Sequence, residues 1–494
     1  MLCKMIEEGF LIQCSGELFE AVQLSRVFDD SKDFVDSIPL RDPRDISSDF
    51  ARLRNQEGFD LKSFVLNNFK VPKKINTKSV LEYIDSLWPV LTRETAKVQQ
   101  YDSLIHVPFP YIVPGGRFRE FYYWDTYFTS VGLALAEKYD IIMNMIDNFV
   151  YLQTKIGLIP NGTRVYYKTR SQPPILGLLI DLIYEKYGID KVKNYIVFLE
   201  KELKFWMSGD KYIEMPNGGY MSRYYDSGDF PREESFIEDT KLAEGLNEMD
   251  KKRLYRNLRS GAESGWDFSS RWLVDPEDLK TIRITDMIPV DLNCLLFSLA
   301  STISKYYFEL KMEKEGEYYL SIARNIQSMI NVYCWNEKSG FYFDYVINEQ
   351  NQSRIFTMAG CVPLFVKASS GEQANKVEKV IGEMFLKNGG FVTTLNSTNQ
   401  QWDSPNGWAP LQWFGVKGLL NYSKQSLAID AAQRWISIVE CNFQLFSKIF
   451  EKYDVVKTST LAEGGEYPNQ EGFGWTNGIT LKFYQIIQEY QKNK

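Results

Sequence analysis

Carboxylates, arginines and tryptophans crowd into a few Gly-, Pro- and Asn-rich stretches of this sequence. The run PGGRFREFYYWDTYF (114–128) sets Arg117 and Asp125 among aromatic residues that include Trp124, directly behind a Gly-Gly pair. PREESFIEDT brings Arg232 beside Glu233 and Glu234. AESGWDFSSRW places Asp267 just after Gly265 and Trp266, and NQQWDSPNGWAP repeats the Trp-Asp pairing at Trp402 and Asp403. IFEKYD supplies Glu451 and EGGEYP supplies Glu466. The chain has a single histidine, His106, in the apolar extended setting LIHVPFP that suits a structural role. It has no CxxC pair, phosphate loop or serine or thiol constellation, so acid/base work by carboxylates is the chemistry this inventory favours. Hydrolysis of a glycosidic bond needs that much: one protonated carboxyl for the leaving oxygen and one ionised carboxylate for water or for the sugar.

Each residue also has a plainer reading. Asp267 and Asp403 suit helix caps or Asx turns. Tyr122, Tyr123, Trp124 and Tyr127 have the spacing of a buried helical stripe, and Arg117 and Arg232 suit surface ion pairs. Glu451 reads as closing a helix, where a carboxylate opposes the macrodipole. From residue types alone the reading stops at a carboxylate hydrolase of a polar, ring-shaped substrate.

The elements that must position these groups are mainly helical. Val80, Ile84, Leu87, Trp88 and Leu91 share one face, with Asn76 or Thr77 as the cap. Tyr319, Ile322, Ala323, Ile326, Met329, Ile330 and Tyr333 repeat the spacing, as do Ala374, Val377, Val380, Ile381 and Met384. Strand-like alternation is confined to short pieces such as GFYFDYV. No linker, repeat or charge block divides the 494 residues, so the expectation is one mainly helical domain over 1–494 with long functional loops.

Composition narrows the partners. An aromatic share of 15% suits sugar binding, since rings stack on the CH-rich face of a pyranose. A net charge of −7 without a basic block argues against nucleic acid. The cysteines, Cys3, Cys14, Cys294, Cys334, Cys361 and Cys441, are scattered and read as incidental thiols. The N-terminal residues, broken by Glu7 and Glu8, make a poor signal peptide, and the apolar run PILGLLIDLI is interrupted by Asp181 and too short to span a membrane. A soluble, cytoplasmic, monomeric protein without membrane partner is expected.

The segments PGGRFREFYYWDTYF and QWDSPNGWAP resemble the two signatures of the trehalases, glycoside hydrolases that split α,α-trehalose into two glucoses. ELFEAVQLSRVFDDSKDFVDSIP, AESGWDFSSRW, IPVDLN, EKYDV and GGEYPNQEGFGWTNG resemble further parts of the family, in family order, with residues 1–15 a poorly matched extension. The resemblance implies an all-α (α/α)6 toroid with long functional loops, and inverting hydrolysis. It implies Asp267 as general acid and Glu451 as general base. Arg117, Trp124, Asp125, Asn161, Arg170, Ser171, Gln172, Arg232, Glu234, Gly265 and Glu466 would bind the sugar. It implies no cofactor and no metal. A departure from the family pattern is the short glycine run at Gly464 and Gly465, which predicts a loop that is stiffer there or closed by different contacts. Other readings of the same residues are a related (α/α)6 α-glucosidase and a non-catalytic trehalose-binding protein.

Overall fold

The computed structural model of the chain describes residues 11–28, 32–56, 58–70, 79–94 and 101–492. Cys3, Asn76, Thr77 and most of the expected extension at 1–15 lie outside them. Where the sequence reading has one domain over 1–494, backbone contacts gather into two compact units, Met1–Lys78 and Ser79–Lys494.

The first unit is a small helical body with its own core. Helices α1 (Glu17–Leu24), α2 (Pro43–Leu53) and α3 (Leu61–Asn68) enclose Leu18, Val22, Phe34, Ile46, Phe50, Phe64 and Val65. Asp42 and Asp60 start α2 and α3 by accepting from backbone N–H groups two or three residues on, which satisfies donors that a helix start leaves open.

The second unit holds α4 (Val80–Leu91), α5 (Tyr123–Leu135), α6 (Tyr139–Ile156), α7 (Leu176–Tyr187), α8 (Ile196–Trp206), α9 (Glu248–Glu263), α10 (Val290–Glu309), α11 (Glu313–Tyr333), α12 (Val362–Phe365), α13 (Gly371–Val380), α14 (Ala409–Asn421), α15 (Gln425–Phe446) and α16 (Gly474–Lys492). Helix α5 packs on α7, α7 on α10, α10 on α12, α12 on α14, α14 on α16, and α16 back on α5. That is a closed inner ring of six helices. Their chain neighbours form the outside: α6 lies on α5 and α7, α8 and α11 on α10, α15 on α14 and α16, and α4 on α15 and α16. Except for α9, inserted between α8 and α10, the chain alternates outer and inner helices.

Burial follows this alternation. In α5 every residue from Tyr123 to Leu133 is buried, as is every one from Ala409 to Val416 in α14. Outer helices such as α11 bury one stripe, Ala323, Ile326, Met329, Ile330 and Tyr333 among it, as a helix between core and solvent should. The ring closes because α5 and α16 meet at glycines. A Cβ on Gly132 would stand 2.4 Å from the Cα of Gly478, so any side chain there would force the helices apart.

Strands are two or three residues long; some pair as short hairpins, while others join distant loops, as Asn406–Trp408 does with Lys452–Asp454. Among the described residues no helix is long and apolar enough to cross a membrane. Three sequence expectations change. Ser79 caps α4, accepting from Glu82 N. The last turn of the Ala374 stripe widens to a π-type turn at Ile381–Phe385, which shifts the phase and leaves Met384 exposed. Glu451 closes no helix: Ser447, in the left-handed conformation, ends α15, and Glu451 leads into the strand Lys452–Asp454.

Candidate active site

The segments leading into α5, α7, α14 and α16 converge with the loops after α9 and α15 on one cavity of about 250 Å³. It is walled by Arg117, Trp124, Asp125, Asn161, Arg170, Gln172, Arg232, Glu234, Gly265, Asp267, Glu451 and Glu466, together with rings of Phe118, Tyr166, Tyr167, Trp402, Trp408, Tyr467 and Trp475. The residues that the resemblance assigned to catalysis and sugar binding are thus brought together, except Ser171. Ser171 lies beneath the wall: its N–H donates to Glu263 Oε1 at 3.0 Å and its hydroxyl to the Gln172 carbonyl at 3.4 Å. His106, on an exposed extended segment, is not among the lining residues.

The first wall comes from the start of α5. The residue before this helix, Tyr122, makes no side-chain cap; instead Tyr123 N donates to the Asn161 carbonyl at 3.1 Å and Trp124 N to Gln172 Oε1 at 3.0 Å. The open donors of the helix start therefore lock the signature segment to the α6–α7 connection, which carries both Asn161 and Gln172. Asp125, in that first turn, is 7% exposed. Burial pushes its carboxyl well up, with Glu451 and Asp267 adding to the effect, while the positive end of α5 works against this.

The second wall is a chain of ion pairs built on buried arginines. Arg170, fully buried, pairs with Glu234 and stands 3.8 Å from Asp226. Its Nε and Nη1 and the Glu234 Oε2 have no hydrogen-bond partner. Arg232 donates to Asp239 at 2.7 Å and to Glu466 at 2.8 Å. Behind them Glu263 accepts from Lys211 Nζ, Ser171 N and Tyr225 N at 2.6–3.0 Å. Arginine forks held by carboxylates in a dry wall suit hydroxyl-rich ligands, whose oxygens take the remaining donors.

The third wall is aromatic. Trp402 stacks on Trp408 with centroids 4.0 Å apart and planes within 2° of parallel, and Trp266 covers its other face at 5.4 Å. Trp475 stands edge-on to Trp124 at 5.9 Å and to Trp408 at 5.8 Å. Gly265 is required here: its φ is +77°, and a Cβ would come 2.8 Å from the Trp124 ring.

Two carboxylates are held by distinct devices. Asp267 precedes a segment pinned by Asp403, which is fully buried and accepts from Ser269 Oγ, Ser270 N, Ser270 Oγ, Thr394 Oγ1 and Thr398 Oγ1 at 2.6–3.0 Å. Asp403 is thus structural, but neither a helix cap nor an Asx turn: it ties Ser269 and Ser270 to Thr394 and Thr398. Burial first, and then the charge of Glu466, pushes the Asp267 carboxyl up to about 7, against the pull of Arg232 and Arg170. Glu451 is 1% exposed and its main chain is clamped, with N–H donated to the Gln470 carbonyl at 2.8 Å and carbonyl accepting from Trp475 Nε1 at 2.9 Å. Its Oε1 accepts from Tyr467 Oη at 2.9 Å, while Oε2 has no hydrogen-bond partner. Burial raises this carboxyl as well, and Lys452, the Tyr467 hydroxyl, the Gln470 backbone and Arg117 hold it down.

A helical double ring with a carboxylate-lined cavity at the mouths of its inner helices defines the (α/α)6 class of glycoside hydrolases. The yeast structure titled neutral trehalase Nth1 from Saccharomyces cerevisiae superposes with a TM-score of 0.66 at 25% identity, over 86% of this chain and 82% of that one. The fold alone is shared with a mannosylglycerate hydrolase from Thermus thermophilus, at a TM-score of 0.54 and 14% identity over 82% and 100% of the two chains. The trehalase family model matches residues 26–488, and the periplasmic trehalase of Salmonella newport is 42% identical over 97% of this chain and 86% of its own length. The chain belongs to the trehalase family. The same relatives correct the expected location: those at 42% identity, including that of Salmonella schwarzengrund, are named periplasmic trehalases, which points to the periplasm and overturns the cytoplasmic expectation.

Proposed function

We propose that this glycoside hydrolase cleaves α,α-trehalose into two glucose molecules with Asp267 as general acid and Glu451 as general base. The observation that carries the assignment is the contrast between the two carboxylates lining one cavity. Asp267, raised to about 7, keeps a proton near neutrality. Glu451 has a cation and a hydroxyl donor on its ionised form and a second oxygen free to accept from water.

Trehalose joins two anomeric carbons, so cleavage needs protonation of the bridging oxygen as positive charge builds on the departing sugar ring. Asp267 gives its proton to that oxygen as the C–O bond breaks. Glu451 takes a proton from the water that attacks the anomeric carbon from the opposite face. Inverting enzymes keep the two carboxyl groups about 6.5–9.5 Å apart to admit that water. One glucose leaves as the α-anomer and the attacked one as the β-anomer. The buried arginine forks of Arg170 and Arg232, with Asp125, Asn161, Gln172, Glu234 and Glu466, would hold the hydroxyls, the tryptophans would face the ring carbons, and Arg117, its guanidinium 4.8 Å over the Tyr467 ring, would close the mouth. Ser171 would act through its main chain. The chemistry draws on no cofactor.

Glucose release from trehalose, set against maltose and sucrose, tests the reading. Trehalose should be hydrolysed far faster than either. Trehalose-dependent thermal stabilisation without glucose release would contradict it.

A further inference from the structure

A buried cation stands behind the two carboxylates with its hydrogen bonds on neutral groups. Lys452 is fully buried, yet its Nζ donates to Gln401 Oε1 at 2.8 Å and to the Gly464 carbonyl at 3.2 Å. Trp408 and Tyr467 offer it ring faces at 5.0 and 5.5 Å. An ammonium taken out of water and held by dipoles and rings is costly, so its retention calls for a reason.

The geometry supplies one. With the ammonium on Oε1, the Gln401 carboxamide must present Nε2 on its other side, where it donates to the Asp267 carbonyl at 2.6 Å and reaches Tyr467 Oη at 3.5 Å. Tyr467 in turn donates to Glu451 Oε1. Asn469 brackets the Lys452 peptide, accepting from its N–H at 3.3 Å and donating to its carbonyl at 3.0 Å. One buried network therefore joins the main chain of Asp267, the side chain of Glu451 and the glycine loop at Gly464.

We propose that Lys452 is a positioning residue for the hydrolysis: through Gln401 it sets the main chain that carries Asp267, through Gly464 it ties down the glycine loop, and its positive charge stands beside Glu451. The inference rests on the roles of Asp267 and Glu451 given above. The charged and titratable groups that act on Glu451 are Lys452, Arg117 and Tyr467 on one side of the balance and Asp125 on the other, while Asp267 acts on the same Lys452 and Tyr467. Removing Lys452 tips that balance toward the protonated form.

The test is the pH profile of kcat/KM for trehalose in wild type, Lys452→Met and Gln401→Leu. Lys452→Met should lower kcat about a hundredfold through lost alignment, and move the acidic limb to higher pH by about one unit. Gln401→Leu keeps the cation, so kcat should fall while the acidic limb stays. If Lys452→Met does not fold, Gln401→Glu, which sets a carboxylate on the ammonium, should shift the limb upward instead. Variants that melt earlier but keep wild-type kcat and limb would overturn the proposal, leaving a packing role. A wild type that releases no glucose would instead overturn the reading on which it rests.

Discussion

The corner of the cavity around Asp267 and the corner around Glu451 contain the same functional group in opposite company. Asp267 faces an ion-pair wall in which Glu466 pushes its proton on and Arg232 and Arg170 pull it off, and burial decides in favour of the proton. Glu451 is more deeply enclosed and burial leaves its carboxyl raised too, but here the other groups acting on it, Lys452 and the Tyr467 hydroxyl foremost, favour the ionised form. Burial alone would make both carboxyls acids. The difference teaches that the division of labour is set by neighbours, which is how one site runs acid and base chemistry together.

The comparison breaks most sharply when either group is neutralised. Asp267→Asn and Glu451→Gln should each lower kcat by roughly 10²–10⁴-fold with little change in KM, as steady-state assays on trehalose would register. Asp125→Asn, by contrast, should act mainly through KM, since a group that binds substrate and transition state alike leaves kcat nearly intact. A loss in Asp125→Asn equal to that in Asp267→Asn would move the acid to α5.

A smaller effect concerns position. Asp403 pins the segment after Asp267 through five hydrogen bonds from two chain regions. Asp403→Ala orphans those donors in a dry interior and should cost about 1–3 kcal/mol of stability, read as an earlier thermal transition, with kcat reduced in the protein that remains folded.

The smallest effect sharpens the contrast by stability. A carboxyl whose folded pKa lies above its unfolded value is at its most favourable below the unfolded value, near 3.8 for Asp267, and loses ground as pH rises toward about 7. Asp267→Asn removes that penalty. The variant should match wild type at pH 3.5, then gain over it between pH 4 and 7 and hold a constant lead of a few kcal/mol above. Melting curves across pH would show it, and a constant difference at all pH values would mean that the carboxyl is not raised.

Much of this was legible in the sequence, because apolar spacing marks helices and the stripes at Val80–Leu91 and Ala323–Tyr333 turned inward as read. Ring closure was not legible: Gly132 and Gly478 meet across most of the chain, and neither glycine differs in type from a loop glycine. The cavity's charged lining could be named because Arg, Glu and Asp are conspicuous in apolar company. Its rings escaped, since Trp408, Tyr467 and Trp475 look like any core aromatics. A signal was present all the same: NGWAP and GFGWTNG place a tryptophan between a turn and a helix, as YYWDTYF does. Ser171 entered only through the family resemblance, and its place beneath the wall depends on Glu263, ninety-two residues away in sequence, which accepts from its N–H. Lys452 and Gln401 sit inside the quoted segments EKYDV and QWDSPNGWAP, yet neither was singled out, because their partners Asp267, Gly464 and Tyr467 are distant in sequence.

The most direct measurement is time-resolved proton NMR of the protein with α,α-trehalose, following the anomeric signals before mutarotation mixes them. Equal early appearance of α- and β-glucose is the result expected for water activated by Glu451 opposite a leaving oxygen protonated by Asp267. Early α-glucose alone would mean retention through a covalent intermediate and would contradict the assignment of Glu451 as base.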